Sequence, residues 1–259
     1  MKRRMLLKIG GAAFEGNAEI AHLAQAIKRI RDIEFIIVHG GGAEISQALK
    51  QASRGTKFID GIRVTEAEDI QIVEHVLSGR VNERIASALH ENGIAAHRLS
   101  GKTDRLLVVE PLRRNGHKYG FVGTVTQVNP QAIFSALNEG KVPVVSPISA
   151  DESGQSFNVN ADSAAAALAA GAQCTDLVYF TNVPGVKIGE ETQAVLSIDE
   201  AKKLIAAGII TGGMIAKMES IFDVLEHGVE RVYIMQWQNE ETLTALIKNN
   251  SINGTIIKR

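Results

Sequence analysis

Cysteine occurs once, at Cys174. A single cysteine excludes an internal disulfide and fits a reducing compartment. Long apolar runs are missing. Met1-Lys2-Arg3-Arg4 opens with positive charge, but only Met5 to Leu7 follow before Lys8. That is too short for a signal-peptide core or a membrane span. Neither sign of charge dominates, since 28 basic and 29 acidic side chains leave a net charge of -1. Global attraction to nucleic acid or to an anionic membrane is therefore excluded as a mode of action, and any anion site must be local. No Pro/Ser-rich linker, low-complexity segment or fixed-period repeat is present. The expectation is a cytoplasmic protein with neither nucleic-acid nor membrane partners.

What is present is a chain of 259 residues, 45% hydrophobic and 22% charged. That suffices to bury a full core, as one α/β domain or as two lobes. Short apolar runs alternate with amphipathic stretches. Met5 to Ile9, Phe35 to Val38, Val142 to Val145, Leu177 to Phe180 and Arg231 to Met235 read as buried strands. Helical spacing covers Ala18 to Ile30, Glu44 to Gln51, Asp69 to Leu77, Val81 to Glu91, Asp162 to Ala170, Asp199 to Ala207 and Met214 to His227. Several of these stretches close on glycine, as at Gly93, Gly171, Gly208 and Gly228. The alternation predicts an open, mainly parallel α/β sheet sandwiched by helices. Leu106 to Glu110 and Tyr119 to Thr126 read as a β-hairpin region inserted in that sheet. If there are two lobes, the junction falls near residue 175, giving lobes 1–175 and 176–259 on one continuous sheet.

Open α/β sheets bind ligands at the carboxyl ends of their strands. The first two strands end in Gly10-Gly11 and in His39-Gly40-Gly41-Gly42. Glycine lets the backbone approach a phosphate, and bare N–H groups at a helix start hold anions. One such turn is more simply a tight strand–helix connection. Two on adjacent strands, with Lys8 before one and His39 before the other, favour a site. For His39, packing at a strand end is an equal reading, and it is assigned no proton transfer. Gly101-Lys102-Thr103 mimics a P-loop tail, but Ala96 stands where its first glycine belongs. No G-x-G-x-x-G follows a strand, and no H-E-x-x-H or paired C-x-x-C points to a protein-held metal. Asp162 opens an alanine-rich helix, where capping and dipole complementarity compete with function as explanations. Gly212-Gly213-Met214-Ile215-Ala216-Lys217 opens another. A lysine in a first turn is unfavourable for the helix itself, and a nearby phosphate would account for it. Met214, Met218, Phe222 and Leu225 are more simply core residues.

In order along the chain, Lys8-Ile9-Gly10-Gly11, His39-Gly40-Gly41-Gly42, Gly61-Ile62-Arg63-Val64-Thr65, Gly79-Arg80-Val81-Asn82, Asn158-Val159-Asn160-Ala161-Asp162, Thr181-Asn182-Val183-Pro184-Gly185 and Gly212 to Lys217 resemble the amino acid kinase family. Gly61 to Thr65 and Asn158 to Asp162 narrow the resemblance to its N-acetylglutamate kinases. The resemblance implies ATP-dependent phosphorylation of the γ-carboxylate of N-acetyl-L-glutamate, in arginine biosynthesis, with Mg²⁺ riding on the phosphates. It implies that Lys8 and Lys217 flank the transferring phosphoryl group and that Asp162 holds them. Gly10, Gly11, Gly41 and Gly42 would offer backbone N–H groups. Arg63, helped by Asn158, would grip the substrate α-carboxylate. Thr181, Asn182, Gly185, Ile209, Ile210 and Thr211 would line the ATP pocket. A carboxylate is already a nucleophile at neutral pH, so no general base is required. The chain departs from the family at Ser100 to Arg105, at Asn182 and at Met235 to Gln238. Two rival readings are a kinase for carrier-linked aminoadipate or glutamate, and a non-catalytic amino-acid-binding regulator. Lys8 follows Met1 closely, without the extra N-terminal helix of arginine-inhibited relatives, so a homodimer without arginine feedback is expected.

Overall fold

A computed structural model describes residues 2–10, 14, 16–249 and 253–259. The first half runs β1 (Arg3–Ile9), α1 (Asn17–Lys28), β2 (Ile33–His39), α2 (Gly42–Gln51), and a short ribbon of β3 (Phe58–Ile59) and β4 (Ile62–Arg63). Next come α3 (Ile70–Glu74), a π-helical stretch over His75–Val81, α4 (Asn82–Glu91) and β5 (Ala96–Ser100). Then follow β6 (Leu107–Arg114), β7 (His117–Val128), α5 (Gln131–Asn138), β8 (Val142–Ser146), β9 (Ile148–Ala150), β10 (Ser156–Val159) and α6 (Ala161–Gly171). The remainder is β11 (Asp176–Thr181), β12 (Lys187–Ile188), β13 (Glu191–Thr192), β14 (Val195–Ser197), α7 (Ile198–Ala206), α8 (Gly213–Glu226), β15 (Arg231–Gln236), α9 (Glu241–Asn249) and β16 (Gly254–Lys258).

Eight strands form the central sheet in the order β14-β16-β15-β11-β1-β2-β8-β5. The pairings are parallel except β15 with β16, so β16 and its neighbour β14 run against the rest. Every sheet strand before residue 175 lies on one side of the β1–β11 boundary, and every later one lies on the other. The strand order therefore reverses beside β1, where open α/β sheets present a crevice.

The two-residue period of a strand sends β1 into two cores. Met5, Leu7 and Ile9 join Ile37, Phe180, Leu23, Leu89 and Leu243 on the α1/α4/α9 face. Leu6 joins Val38, Tyr179, Met218 and the alanines of α6 on the opposite face. Alanine lets α6 sit close on the sheet, where it packs against β1, β2, β7 and α8. Lys8 shares the parity of Leu6, so it emerges on the α6/α8 face. Met218, Phe222 and Leu225 of α8 are buried there, as their helical spacing predicted.

Three expectations are corrected. The hairpin exists as β6 and β7, but it pairs with β9 and β10 in a small closed sheet of its own rather than with the central strands. Two register shifts between β6 and β7 bend it away, as bulges do by raising local twist. The expected helices Asp69 to Leu77 and Val81 to Glu91 are joined by the π-helical stretch into one continuous rod. The side chain of Arg98 caps two carbonyls in that stretch, at Ser78 (2.9 Å) and Gly79 (3.3 Å). Lys217 is the fifth residue of α8, one turn inside it, not in the first turn. Side chains tilt toward a helix N-terminus, so it still reaches back over that end. Among the described residues, no helix is long and apolar enough to cross a membrane.

Candidate active site

The carboxyl ends of β1, β2, β10 and β11 and the N-termini of α2, α6 and α8 converge on one crevice. Asn160 caps α6: its side-chain oxygen accepts from the backbone N–H of Asp162 (2.9 Å) and of Ser163 (3.2 Å). The cap is thus Asn160, which leaves the Asp162 carboxylate to face the sheet. Lys8 Nζ lies 2.8 Å from Asp162 Oδ1. Lys217 pairs with Asp162 Oδ2 at close range from α8. Two ammonium groups from opposite ends of the chain thereby share one carboxylate and leave a net positive centre.

Burial alone would raise the Asp162 carboxyl, but Lys8 and then Lys217 outweigh it and hold it at about 2. Burial pulls Lys217 below the ordinary lysine value, only partly offset by Asp162, and Lys8 adds to the lowering. The Lys217 ammonium also sits 4.5 Å from the ring centre of Tyr179, a cation–π contact. Burial keeps the Tyr179 phenol neutral, well above its ordinary value, and its hydroxyl donates to the Asp162 carbonyl at 3.1 Å. Tyr179 stands in register with Lys8 across the β1–β11 pair.

Beside this cluster lies a cavity of about 400 Å³, within the range of roughly 300–1,000 Å³ typical for small ligands. Gly40 to Gly42, Arg63, Asn158 and Asn160 supply its polar lining, and Ile45, Leu77, Val122 and Val159 its apolar walls. Arg63 is 8% exposed. Its guanidinium donates to the Gly42 carbonyl (2.9 Å), Ser46 Oγ (2.9 Å) and Thr56 Oγ1 (3.3 Å), and stacks 4.8 Å from the Phe58 ring centre. All three acceptors are neutral, and among the described residues no carboxylate pairs with it. A buried cation whose hydrogen-bond acceptors are all neutral, with the Asp69 charge acting on it only from beyond ion-pair distance, is suited to an anionic ligand. Asn158 Nδ2 donates to Thr65 Oγ1 at 3.1 Å, which fixes its amide at the cavity wall.

The glycine turn also borders a second cavity of about 210 Å³ that holds Lys8 and Gly10. The turn is therefore the partition between Arg63 and Lys8. A Cβ on Gly41 would stand 2.8 Å from Leu77 Cδ2 and 3.2 Å from Val81 Cγ2. Gly41 has an extended φ, so close packing demands glycine there, not conformational freedom. A Cβ on Gly10 would stand 3.4 Å from the Lys8 ammonium. Gly11 lies outside the described residues.

Thr181 and the exposed Asn182 follow the sheet out at the end of β11, and exposed Ile209 and Thr211 precede α8. Two positions expected with them are explained by packing. Ile210 is 3% exposed and belongs to the core. Gly185 packs on β16, where an added Cβ would meet Thr255 Oγ1 at 2.6 Å. Residue patterns did not reveal Asn160 as the cap, Tyr179 under Lys217, or Ser46 and Thr56 around Arg63. Asn160 had a local signal, an Asn two residues before an acidic helix start. The others depend on strand register and loop packing.

A sheet-end crevice with paired lysines, a glycine turn and a buried arginine hydrogen-bonded only to neutral acceptors defines an α/β enzyme suited to anionic small molecules. The chain belongs to the amino acid kinase family, whose model matches residues 3–236. Similar proteins include the acetylglutamate kinase of Geobacillus kaustophilus, 34% identical with 100% of this chain and 98% of that protein covered. Another is the acetylglutamate kinase of Acaryochloris marina, 36% identical, with 98% and 91% covered. Among solved structures, smu.665 from Streptococcus mutans UA159 is 28% identical with a TM-score of 0.79, and 100% of this chain and 99% of that one are covered. Carbamate kinase from Giardia, 13% identical with a TM-score of 0.72 and 99% of each chain covered, shares the fold.

Proposed function

We infer that this chain is an acetylglutamate kinase, which transfers the γ-phosphoryl group of ATP to the γ-carboxylate of N-acetyl-L-glutamate. A carboxylate oxygen attacks the γ-phosphorus, the bond to the β-phosphate oxygen breaks, and an acyl phosphate and ADP result. The observation that carries this reading is the pairing of two unlike anion sites across one glycine turn. Arg63 and Asn158 on one side suit an α-carboxylate, and Lys8, Lys217 and Asp162 on the other suit a phosphoryl group in flight. Phosphoryl transfer requires positioning and charge neutralisation more than covalent help from the protein. Lys8 and Lys217 neutralise the equatorial oxygens, and Gly10, Gly41 and Gly42 present N–H groups. Asp162 is matched by two ammonium groups, so it positions them and is a poor base. For the same reason it is a poor Mg²⁺ ligand, and the ion enters on the phosphates of ATP.

Residues 1–175 hold the acyl amino acid and 176–259 hold ATP, with Thr181, Asn182, Ile209 and Thr211 toward the nucleotide. This division follows the sheet, which separates the two stretches at β1 and β11. Cys174, a buried thiol without a disulfide, fits a cytoplasmic enzyme. The outer edge of β5 borders the sheet, and pairing with a second copy would cover it in a homodimer. A monomeric mass in sedimentation would remove that last point. The activity is tested by hydroxylamine trapping with ATP, Mg²⁺ and N-acetylglutamate, glutamate or N-acetylaminoadipate. Hydroxamate from N-acetylglutamate is expected. Its absence there, with product from N-acetylaminoadipate, would move the substrate to the longer diacid.

A further inference from the structure

His39 ends β2 and is 1% exposed. Burial drives its imidazole down to about 4, so at neutral pH the ring is uncharged and carries one N–H. Two partners decide where that proton sits. Nδ1 lies 3.0 Å from the Gly40 carbonyl oxygen, which can only accept. Nε2 lies 3.1 Å from Nδ2 of Asn82, which can only donate. The proton is therefore on Nδ1, and Nε2 accepts.

Asn82 is itself 1% exposed and cannot be flipped. Its two amide hydrogens are shared among His39 Nε2 and the carbonyls of Val144 (2.9 Å) and Leu99 (3.2 Å), while its Oδ1 accepts from Arg98 Nε at 3.1 Å. Arg98 is anchored on the carbonyls of Ser78 and Gly79 in the π-helical stretch. A chain of hydrogen bonds thus runs from Arg98 through Asn82 and His39 to one peptide, that between Gly40 and Gly41.

That peptide is trans, so its carbonyl and its N–H point in opposite directions. The carbonyl is drawn inward to His39, and the Gly41 N–H is turned outward. Gly40 and Gly41 line both cavities. Among the described residues, the Gly41 N–H makes no hydrogen bond within the chain. Flanked by glycines, the peptide has no side-chain barrier of its own to rotation. We propose that His39 is a positioning residue that locks the Gly40–Gly41 peptide with its N–H aimed at the transferring phosphoryl group, and that Asn82 and Arg98 fix the tautomer it needs. A buried leucine would fill the space and stabilise the core without a buried polar group, but would leave the peptide unfixed.

The role rests on the kinase reading, and the experiment separates the two. The amide nitrogen of Asn falls where Nδ1 was, and the amide oxygen of Gln, turned to accept, falls where Nε2 was. His39→Asn keeps the bond to Gly40; His39→Gln keeps only the contact with Asn82; His39→Leu keeps neither. Loss of one fixed donor to a developing charge costs about 10²–10³ in kcat. Expected are a kcat within about tenfold of wild type for H39N, a fall of about 10² for H39Q and H39L, and KM values within about threefold. Residual dipolar coupling of the Gly41 N–H vector, measured on ligand-free protein, reads the peptide orientation whatever the substrate. It should match wild type in H39N and differ in H39Q. Wild-type kcat or an unmoved Gly41 vector in H39Q overturns the role, as does H39N losing as much as H39Q. If H39L does not fold, the Asn and Gln pair carries the comparison. Failure of the wild type to form any acyl phosphate overturns the kinase reading alone, and the Gly41 vector still decides the role of His39.

Discussion

Replacing Asp162 with Asn removes the one negative charge that two lysines share. Its carboxyl is held at about 2 against an ordinary value of 3.8, and each tenfold change in proton affinity corresponds to about 1.4 kcal/mol. The carboxylate therefore contributes about 2 kcal/mol to stability at neutral pH. Because the folded value lies below the unfolded one, that contribution is complete above about pH 5 and is lost as pH falls toward 2. At pH 3 about half remains. Asp162→Asn also leaves Lys8 and Lys217 facing each other without a counter-charge, which enlarges the loss at neutral pH. Urea denaturation of both proteins at several pH values between about 7 and about 2.5 measures the difference directly. The gap should be at least about 2 kcal/mol at pH 7 and should narrow as the wild type is acidified. Equal stability at pH 7, or a gap indifferent to pH, would refute the account of Asp162 as the hub of the lysine pair.

Lys8→Ala and Lys217→Ala should each lower kcat by about 10²–10³ while ATP affinity changes little, because their charge matters most in the transition state; steady-state kinetics with full kcat in both would contradict this. Arg63→Ala should raise the KM for the acyl amino acid by about ten- to a hundredfold, the worth of a charge-assisted carboxylate contact, and an unchanged KM would end that assignment. Gly41→Ala should cost about 1–3 kcal/mol through its collision with Leu77. Pairing it with Leu77→Ala should return part of that loss in a double-mutant cycle, and strict additivity would show that the collision is not the cause.

Local pattern carried much of the fold. β1, β2, β8, β11 and β15 are short, nearly continuous apolar runs because both faces of a central strand are buried. Lys8 stands out in such a run and Asp162 near a helix start, whereas Lys217 lies one turn inside α8 and the glycines before it place it one turn too early. The pieces that escaped are those whose signal is non-local. β14 has three residues and β16 five, too few to show a period, and they become strands by docking on an existing edge. Hairpin strands carry no mark of which sheet they will join, so the spacing of β6 and β7 points to a hairpin but not to its partners. The π-helical stretch reads as a break between two helices because its extra residue shifts the 3.6 period. Ile210 and Gly185 are expected in the ATP pocket from the family resemblance, yet their neighbours in space are core residues and Thr255.

The division of the sheet at β1 has a consequence for biogenesis. As the chain leaves the ribosome, β1, β2, β5 and β8 can assemble, and α6 can bring Asp162 to Lys8. One edge of β1 then stays open until Asp176–Thr181 arrives to pair with it. An unpaired central strand is a template for pairing with other chains. At that stage the open edge is apolar on both faces, with Arg3 and Arg4 at its start and Lys8 near its end. Those charges, which form ion pairs with Asp176, Glu34 and Asp162 in the finished fold, would also discourage nascent chains from associating through it.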